Sequence, residues 1–244
     1  MANKLYQAMK VIAKAKGIKA SPQNDLYKRV PPYFVNAFYI DLLNKKSGKV
    51  TVDLHYSAKY LFFDDLVLHI VEPGSTVRLT DKVRANSVIA CKSIIEKEGF
   101  EFAFDGSDES YQSLAEWVFA HIEGWYRAFF DKVDAEYGNL GRFFVDNKER
   151  YPRQAALILI NAEDYEAAEE LLRVMQEGGN KRYVRPSSDE QRQRAVDSGL
   201  EAWGDAFLRN DDDCLIDYVA ARKNSLEWTA DMASFGLLSA ERLG

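Results

Sequence analysis

From Asp105-Gly106-Ser107-Asp108 onward the hydrophobic period of this chain is helical throughout, and that change points to a fold with a sheet in its first part and helices after. Before it, the clearest segment alternates. Val50, Val52, Leu54 and Tyr56 share one side of a strand, and Lys49, Thr51, Asp53, His55 and Ser57 share the other. That is the pattern of an antiparallel strand with one wet face. After the change, apolar residues recur every three or four positions, as on a helix. Charge divides at the same place. Residues 1–106 hold 16 Lys+Arg against 11 Asp+Glu, a balance of +5; residues 107–244 hold 16 against 27, a balance of -11. The expected architecture is therefore α+β: a basic α+β part, 1–106, followed by an acidic all-helical part, 107–244.

Within the first part, Leu5, Met9 and Ile12 predict a helix over Asn3–Lys16, stopped by Gly17. Strands are expected at Leu26–Val30, ending at Pro31-Pro32, and through Phe34, Phe38, Ile40 and Leu42. Lys45-Lys46-Ser47-Gly48 reads as a hairpin loop before the alternating strand. A further strand is expected over Leu61–Val71. From Thr80 the spacing of Val83, Ser87, Val88, Cys91, Ile94 and Ile95 predicts a helix ended by Gly99, and Phe100, Phe102 and Phe104 predict another strand.

In the second part, Tyr111–Val133 carries a wide apolar stripe that includes Trp117, His121 and Trp125, so this helix is expected to be central. Ser107 and Asp108 serve as its cap. Gly138 and Gly141 interrupt the run. Helices follow from Pro152 to Ile160, from Tyr165 to Gln176, from a Ser187/Glu190 capping box to about Leu208, and from Asn210-Asp211-Asp212-Asp213 to about Met232.

Composition narrows the class. With 47% hydrophobic and 13% aromatic residues the chain can bury a core without staples. No apolar run approaches the ~20 residues that cross a bilayer, and no secretory apolar segment opens the chain. The two cysteines, Cys91 and Cys214, lack CxxC spacing, which favours buried thiols in a reducing, cytoplasmic setting.

Catalytic signatures are sparse. No GxSxG, GxGxxG, GxxxxGK or HExxH occurs, and no cofactor or metal is expected. Three histidines exist. His55 shares a strand face with Asp53, and Asp41, Asp64 or Asp65 on adjacent segments are the carboxylates expected near it. Such a cluster suits metal binding or proton transfer. His69 alternates with Val67 and Val71 and is expected to be partly buried. His121, on the aromatic stripe, reads as a hydrogen-bonded core histidine and as a weaker candidate base. Residues 1–49 hold ten Lys+Arg against Asp25 and Asp41, interleaved with Tyr27, Tyr33, Phe34, Phe38 and Tyr39. That mixture allows a single-stranded nucleic-acid surface, with solvated lysines as the plainer reading.

Ala155–Met175, and in particular Asn161-Ala162-Glu163-Asp164-Tyr165-Glu166-Ala167-Ala168-Glu169-Glu170-Leu171-Leu172, resembles one tetratricopeptide repeat over about residues 152–179. The family's first-helix Trp is missing, and no second copy follows at a 34-residue period. The resemblance implies a helical hairpin whose small Ala155, Ala156, Ala167 and Ala168 let two helices approach closely. In overall type the chain is similar to bacterial toxin-immunity proteins, which are acidic, aromatic-rich and without catalytic motifs. That similarity implies a non-enzymatic protein that inhibits a basic partner through an acidic helical surface. Glu163, Asp164, Glu166, Glu169, Glu170, Asp211, Asp212 and Asp213 are its candidate contacts. The alternatives are a nucleic-acid binder using the basic part, or an enzyme built around Asp53 and His55 or around His121.

Overall fold

The computed structural model describes residues 2–22, 24–44, 48–71, 73–74, 79–85, 94–177 and 211–229. Helix α1 (Ala2–Ala15) precedes strands β1 (Lys19–Ala20), β2 (Asp25–Val30), β3 (Tyr33–Asn44) and β4 (Lys49–Tyr60). Helices α2 (Leu61–Val71) and α3 (Asp81–Ala85) come next, then β5 (Ile94–Ala103). The rest is helical: α4 (Asp108–Tyr137), α5 (Leu140–Asp146), α6 (Pro152–Asn161), α7 (Tyr165–Glu177) and α8 (Asp211–Lys223). The fold is α+β, as the periodicity implies. Among the described residues no helix is long and apolar enough to cross a membrane.

The five strands form one antiparallel sheet in sequence order, β1-β2-β3-β4-β5. Val50, Val52, Leu54 and Tyr56 of β4 face a core closed by Leu5, Met9 and Ala13 of α1 and by Leu114, Ala115, Val118, Phe119 and Ile122 of α4. Each helix contributes the stripe its 3.6-residue period allows. Helix α4 begins where Ser107 Oγ accepts from Ser110 N at 3.1 Å. Asp105 Oδ1 accepts from Ser107 N at 2.8 Å, and that bond holds the Asp105 carboxyl down to about 2. The helix ends at Gly138, whose φ of 75° suits a residue without a Cβ.

The chain divides into two compact units, Met1–Phe63 with Leu79–Phe143, and Asp64–Arg78 with Phe144–Gly244. The boundary expected at 106/107 falls inside the first unit, because α4 completes the core of the sheet. In the second unit α7 packs against both α6 and α8. Ala155, Ala156 and Ala168 are fully buried and Ala167 is half-buried. The Trp228 indole N–H donates to the Ile70 carbonyl at 2.8 Å.

Four local expectations are corrected. Leu61–Val71 is a helix, not a strand: Phe63, Val67 and Ile70, spaced by four and three, are among its buried residues. Gly99 does not end a helix; it lies within β5, where a Cβ would stand 3.0 Å from Asp53 Oδ1. Gly141 lies inside α5 rather than breaking the run, and its N–H donates to the Tyr60 hydroxyl at 3.0 Å. The final helix ends at Lys223 rather than near Met232. The expected helix from Ser187 to Leu208, the Asn210 cap, the Gly178-Gly179 stop and Cys91 lie outside the described residues.

Candidate interaction surfaces

Where β5 runs beside α4, Glu98, Tyr56 and His121 share a hydrogen-bonded cluster. Residues of even number on β5 face α4, since strand side chains alternate. Glu98 is one of them. Its Oε2 accepts from the Tyr56 hydroxyl at 2.8 Å and lies 3.1 Å from His121 Nε2. With its proton on Nε2, His121 donates to that carboxylate. The imidazole lies flat on Trp117, with centroids 4.7 Å apart and planes 15° from parallel, and edge-on to Phe100 at 4.6 Å. Glu96, one step along the same face, accepts from Trp125 Nε1 at 2.8 Å. Trp125 stacks in turn on Tyr56 and on Phe129. Burial, with the Glu98 carboxylate next, pushes the Tyr56 hydroxyl well above its usual range.

This arrangement follows from helix and strand geometry together. Trp117, His121, Trp125 and Phe129 recur every four residues, so they form a row along one side of α4. They are half-buried: the rings pack inward, and the polar atoms of His121 and Trp125 reach the β5 carboxylates Glu98 and Glu96. His121 is thus hydrogen-bonded, as its setting on the aromatic stripe implies. Glu98, Glu96, Tyr56 and Tyr126 carry no sequence signal as a group, because they lie on three elements. Tyr126 donates between the carbonyls of Asn36 (2.7 Å) and Ser57 (2.9 Å), beside the irregularity in the β4–β5 register at Tyr56/Ser57. Burial pushes its hydroxyl far above the ordinary tyrosine range.

Asp53 and His55 lie two residues apart on β4 and so share one face of that strand. The register sets His55 between Phe38 and Lys97, and Asp53 between Ile40 and Gly99. Asp41 lies across from Val52, and Asp64 and Asp65 are on α2, not on an adjoining strand. The ring neighbour of His55 is Phe38, at 6.0 Å. His69 is exposed on α2 rather than partly buried. Among the described residues no group of three or more His, Cys, Asp or Glu is placed to hold a metal ion.

Lys4, Lys16, Lys19, Arg29 and Lys49 of the basic start are ion-paired within their own unit. Lys4 pairs with Asp108 at 2.7 Å and Lys16 with Glu123 at 2.8 Å, both acids on α4. Lys19 and Arg29 converge on Asp81, and Lys49 pairs with Glu101. The aromatic residues interleaved with these cations are packed inside. Tyr39 and Phe34 are buried, Tyr27 stacks on Phe34, and Tyr33 stacks on Phe130. Tyr33 and Phe38 are half-buried.

The acidic hairpin divides its labour. Asp164 Oδ1 accepts from Ala167 N at 3.3 Å, capping α7, and Glu169 is bonded to Lys223 of α8. Arg222 of α8 lies over the Tyr165 ring. Glu163, Glu166 and Glu170 are exposed. Glu166 and Glu170, four apart, share one stripe of α7 that continues to Val174, 54% exposed, while Glu163 stands in the turn before the helix with a φ of 59°. Asp211, Asp212 and Asp213 open α8, in keeping with the helix dipole.

No family model, no curated protein and no solved structure matches this chain.

Proposed function

We propose that this chain is a non-enzymatic protein-binding protein, of the immunity or antitoxin type, whose acidic helical surface docks a basic partner. The observation that carries the reading is the α7 stripe of Glu166 and Glu170 running into the exposed Val174, with Glu163 exposed in the turn before it. Carboxylates spaced along one face accelerate encounter with a basic surface, and an adjoining apolar side chain adds contact area once docked. Within the hairpin, Asp164 caps α7 and Glu169 bonds Lys223, so the contacts proposed are Glu163, Glu166 and Glu170, together with Asp211, Asp212 and Asp213.

The test is salt-dependent capture on the tagged full chain, in parallel with a Glu163→Lys/Glu166→Lys/Glu170→Lys variant. A basic protein held at low salt, released at high salt and lost to the variant supports the reading. Equal capture by both forms, or capture indifferent to salt, sinks it.

One observation favours a second reading, an enzyme that uses His121 as a general base. Glu98 orients the imidazole from 3.1 Å, as a carboxylate does in many acid–base sites. Turnover of any ester, amide or phosphoester substrate that disappears in His121→Gln would establish it in place of the first.

A further inference from the structure

From Glu96 to Ala103, β5 has β4 on one side and, among the described residues, no strand on the other. Glu96, Lys97, Gly99, Glu101 and Ala103 are exposed, and among the described residues no strand pairs with this outer edge. Open edges are places where another chain adds a strand, and folds commonly cover or bend them. Beside this edge runs the half-buried row of Trp117, His121, Trp125 and Phe129. At 100° per residue, Gly124 and Ala128 fall on the same flank of α4 as Trp117 and His121. Both are exposed, and a Cβ built on Gly124 meets nothing within 4 Å. The fold itself therefore has no steric need of a glycine there, although glycine weakens a helix interior. The absent side chain leaves room along the β5 edge for an approaching backbone.

The geometry points to the β5 edge, with the adjoining α4 flank, as the docking site for an extended basic segment of another protein, added as a sixth strand. Charge selects the occupant. Residues 96–105 carry four carboxylates, Glu96, Glu98, Glu101 and Asp105, against Lys97 alone. Alternate Lys or Arg side chains of an added strand meet Glu96 and Glu98, and its main chain takes up the free edge. A second copy is disfavoured, because pairing β5 with itself sets two acid-rich strands side by side. The inference goes beyond the α7 reading, since it concerns another surface and another mode of contact.

Amide hydrogen exchange on the full chain tests it, with a short peptide of alternating Lys and Thr as probe. In the free chain alternate amides of 96–103 exchange fast, because only every other one bonds to β4. At saturating peptide those fast amides slow by about tenfold or more. The same peptide with Glu in place of Lys leaves them unchanged. Gly124→Leu, which fills open space, and Glu98→Gln each weaken binding about tenfold, whereas Lys97→Glu tightens it. The inference is overturned if the Lys peptide slows no amide of β5, if the Glu peptide binds equally, or if the free chain shows all of them already slow. Protection that rises with protein concentration alone assigns the edge to a second copy and overturns it too. The α7 charge-reversal variant keeps full peptide binding. A failed peptide with salt-sensitive capture intact removes this inference and leaves the α7 reading standing.

Discussion

Tyr56 and Trp125 lie face to face, their ring centroids 4.2 Å apart and their planes 6° from parallel. One ring is fully buried on β4 and the other is half-buried on α4, so the stack pins helix to sheet. Trp125→Ala is expected to cost about 2–3 kcal/mol, less than a fully buried Trp because part of the ring is solvated. Trp125→Phe keeps a stacked ring but loses the bond to Glu96, at about 1 kcal/mol. Urea unfolding of both variants measures the difference.

Alkaline titration should reveal the buried phenols as a group. Burial, with Tyr33 next, pushes the Tyr60 hydroxyl up to about 12, although the Gly141 N–H draws it back. Tyr56 and Tyr126 are raised in the same direction, chiefly by burial. A raised phenol favours the folded state fully below the ordinary tyrosine value of 10.0 and loses that contribution as pH climbs through the folded value. Stability is therefore expected to hold to about pH 10 and fall between there and about pH 12. Phenolate absorbance followed alongside circular dichroism checks that late-ionising tyrosines appear with unfolding.

Acid should expose the role of Asp81. Burial alone would raise this carboxyl, but hydrogen bonds from Arg29 and Lys19 outweigh it and hold it below the ordinary aspartate value of 3.8. A lowered carboxyl stabilises the fold above the unfolded value, and the contribution disappears as pH falls through the folded one. Asp81→Asn is expected to cost about 1 kcal/mol at neutral pH, with the gap from the parent narrowing below about pH 4. Thermal melts of both proteins from pH 7 down to pH 3 show whether it does.

Lys59 is 5% exposed, and its Nζ donates to the Arg84 carbonyl at 2.8 Å above the Phe34 ring. Lys59→Met keeps the stem and removes the donor, leaving a carbonyl short of a partner on the face that α3 covers. The expected loss is about 1–3 kcal/mol. A melt unchanged within error would mean that the ammonium contributes nothing there.

Gly124→Ala should act in the opposite sense. The position is an exposed helix interior with open space where the methyl would go. Replacing glycine there is expected to raise stability by about 0.5–1 kcal/mol. A decrease in the denaturation midpoint would contradict the geometry of this flank.

Much of the fold was legible because its signals are local. The alternation in β4 and the four-residue spacing in α1 and α4 read directly as one buried face each. Two misreadings share a cause. Val67, His69 and Val71 alternate over too few residues to separate a strand from a helix, and burial at Phe63, Val67 and Ile70 decides for the helix. Gly99 resembles a helix stop, but its space is filled by Asp53 from the neighbouring strand. The candidate site was less legible. His121 stood out in the chain, whereas Glu98, Glu96 and Tyr56 became its neighbours only through the pairing of β5 with β4 and the docking of α4.

The order of residues alone settled the α+β character, the turn near Ser107, the capped central helix and the α6–α7 hairpin, because hydrophobic period and capping act over a few residues. Which charges would meet was decided only by tertiary structure. The lysines of α1 read as one basic patch, yet Lys4 and Lys16 end up against Asp108 and Glu123 of α4, more than a hundred residues away in the chain. The acids of the hairpin read as one surface, yet Lys223 takes Glu169 out of it. Coulomb attraction depends on distance in space, and that distance is set by packing between elements far apart in sequence.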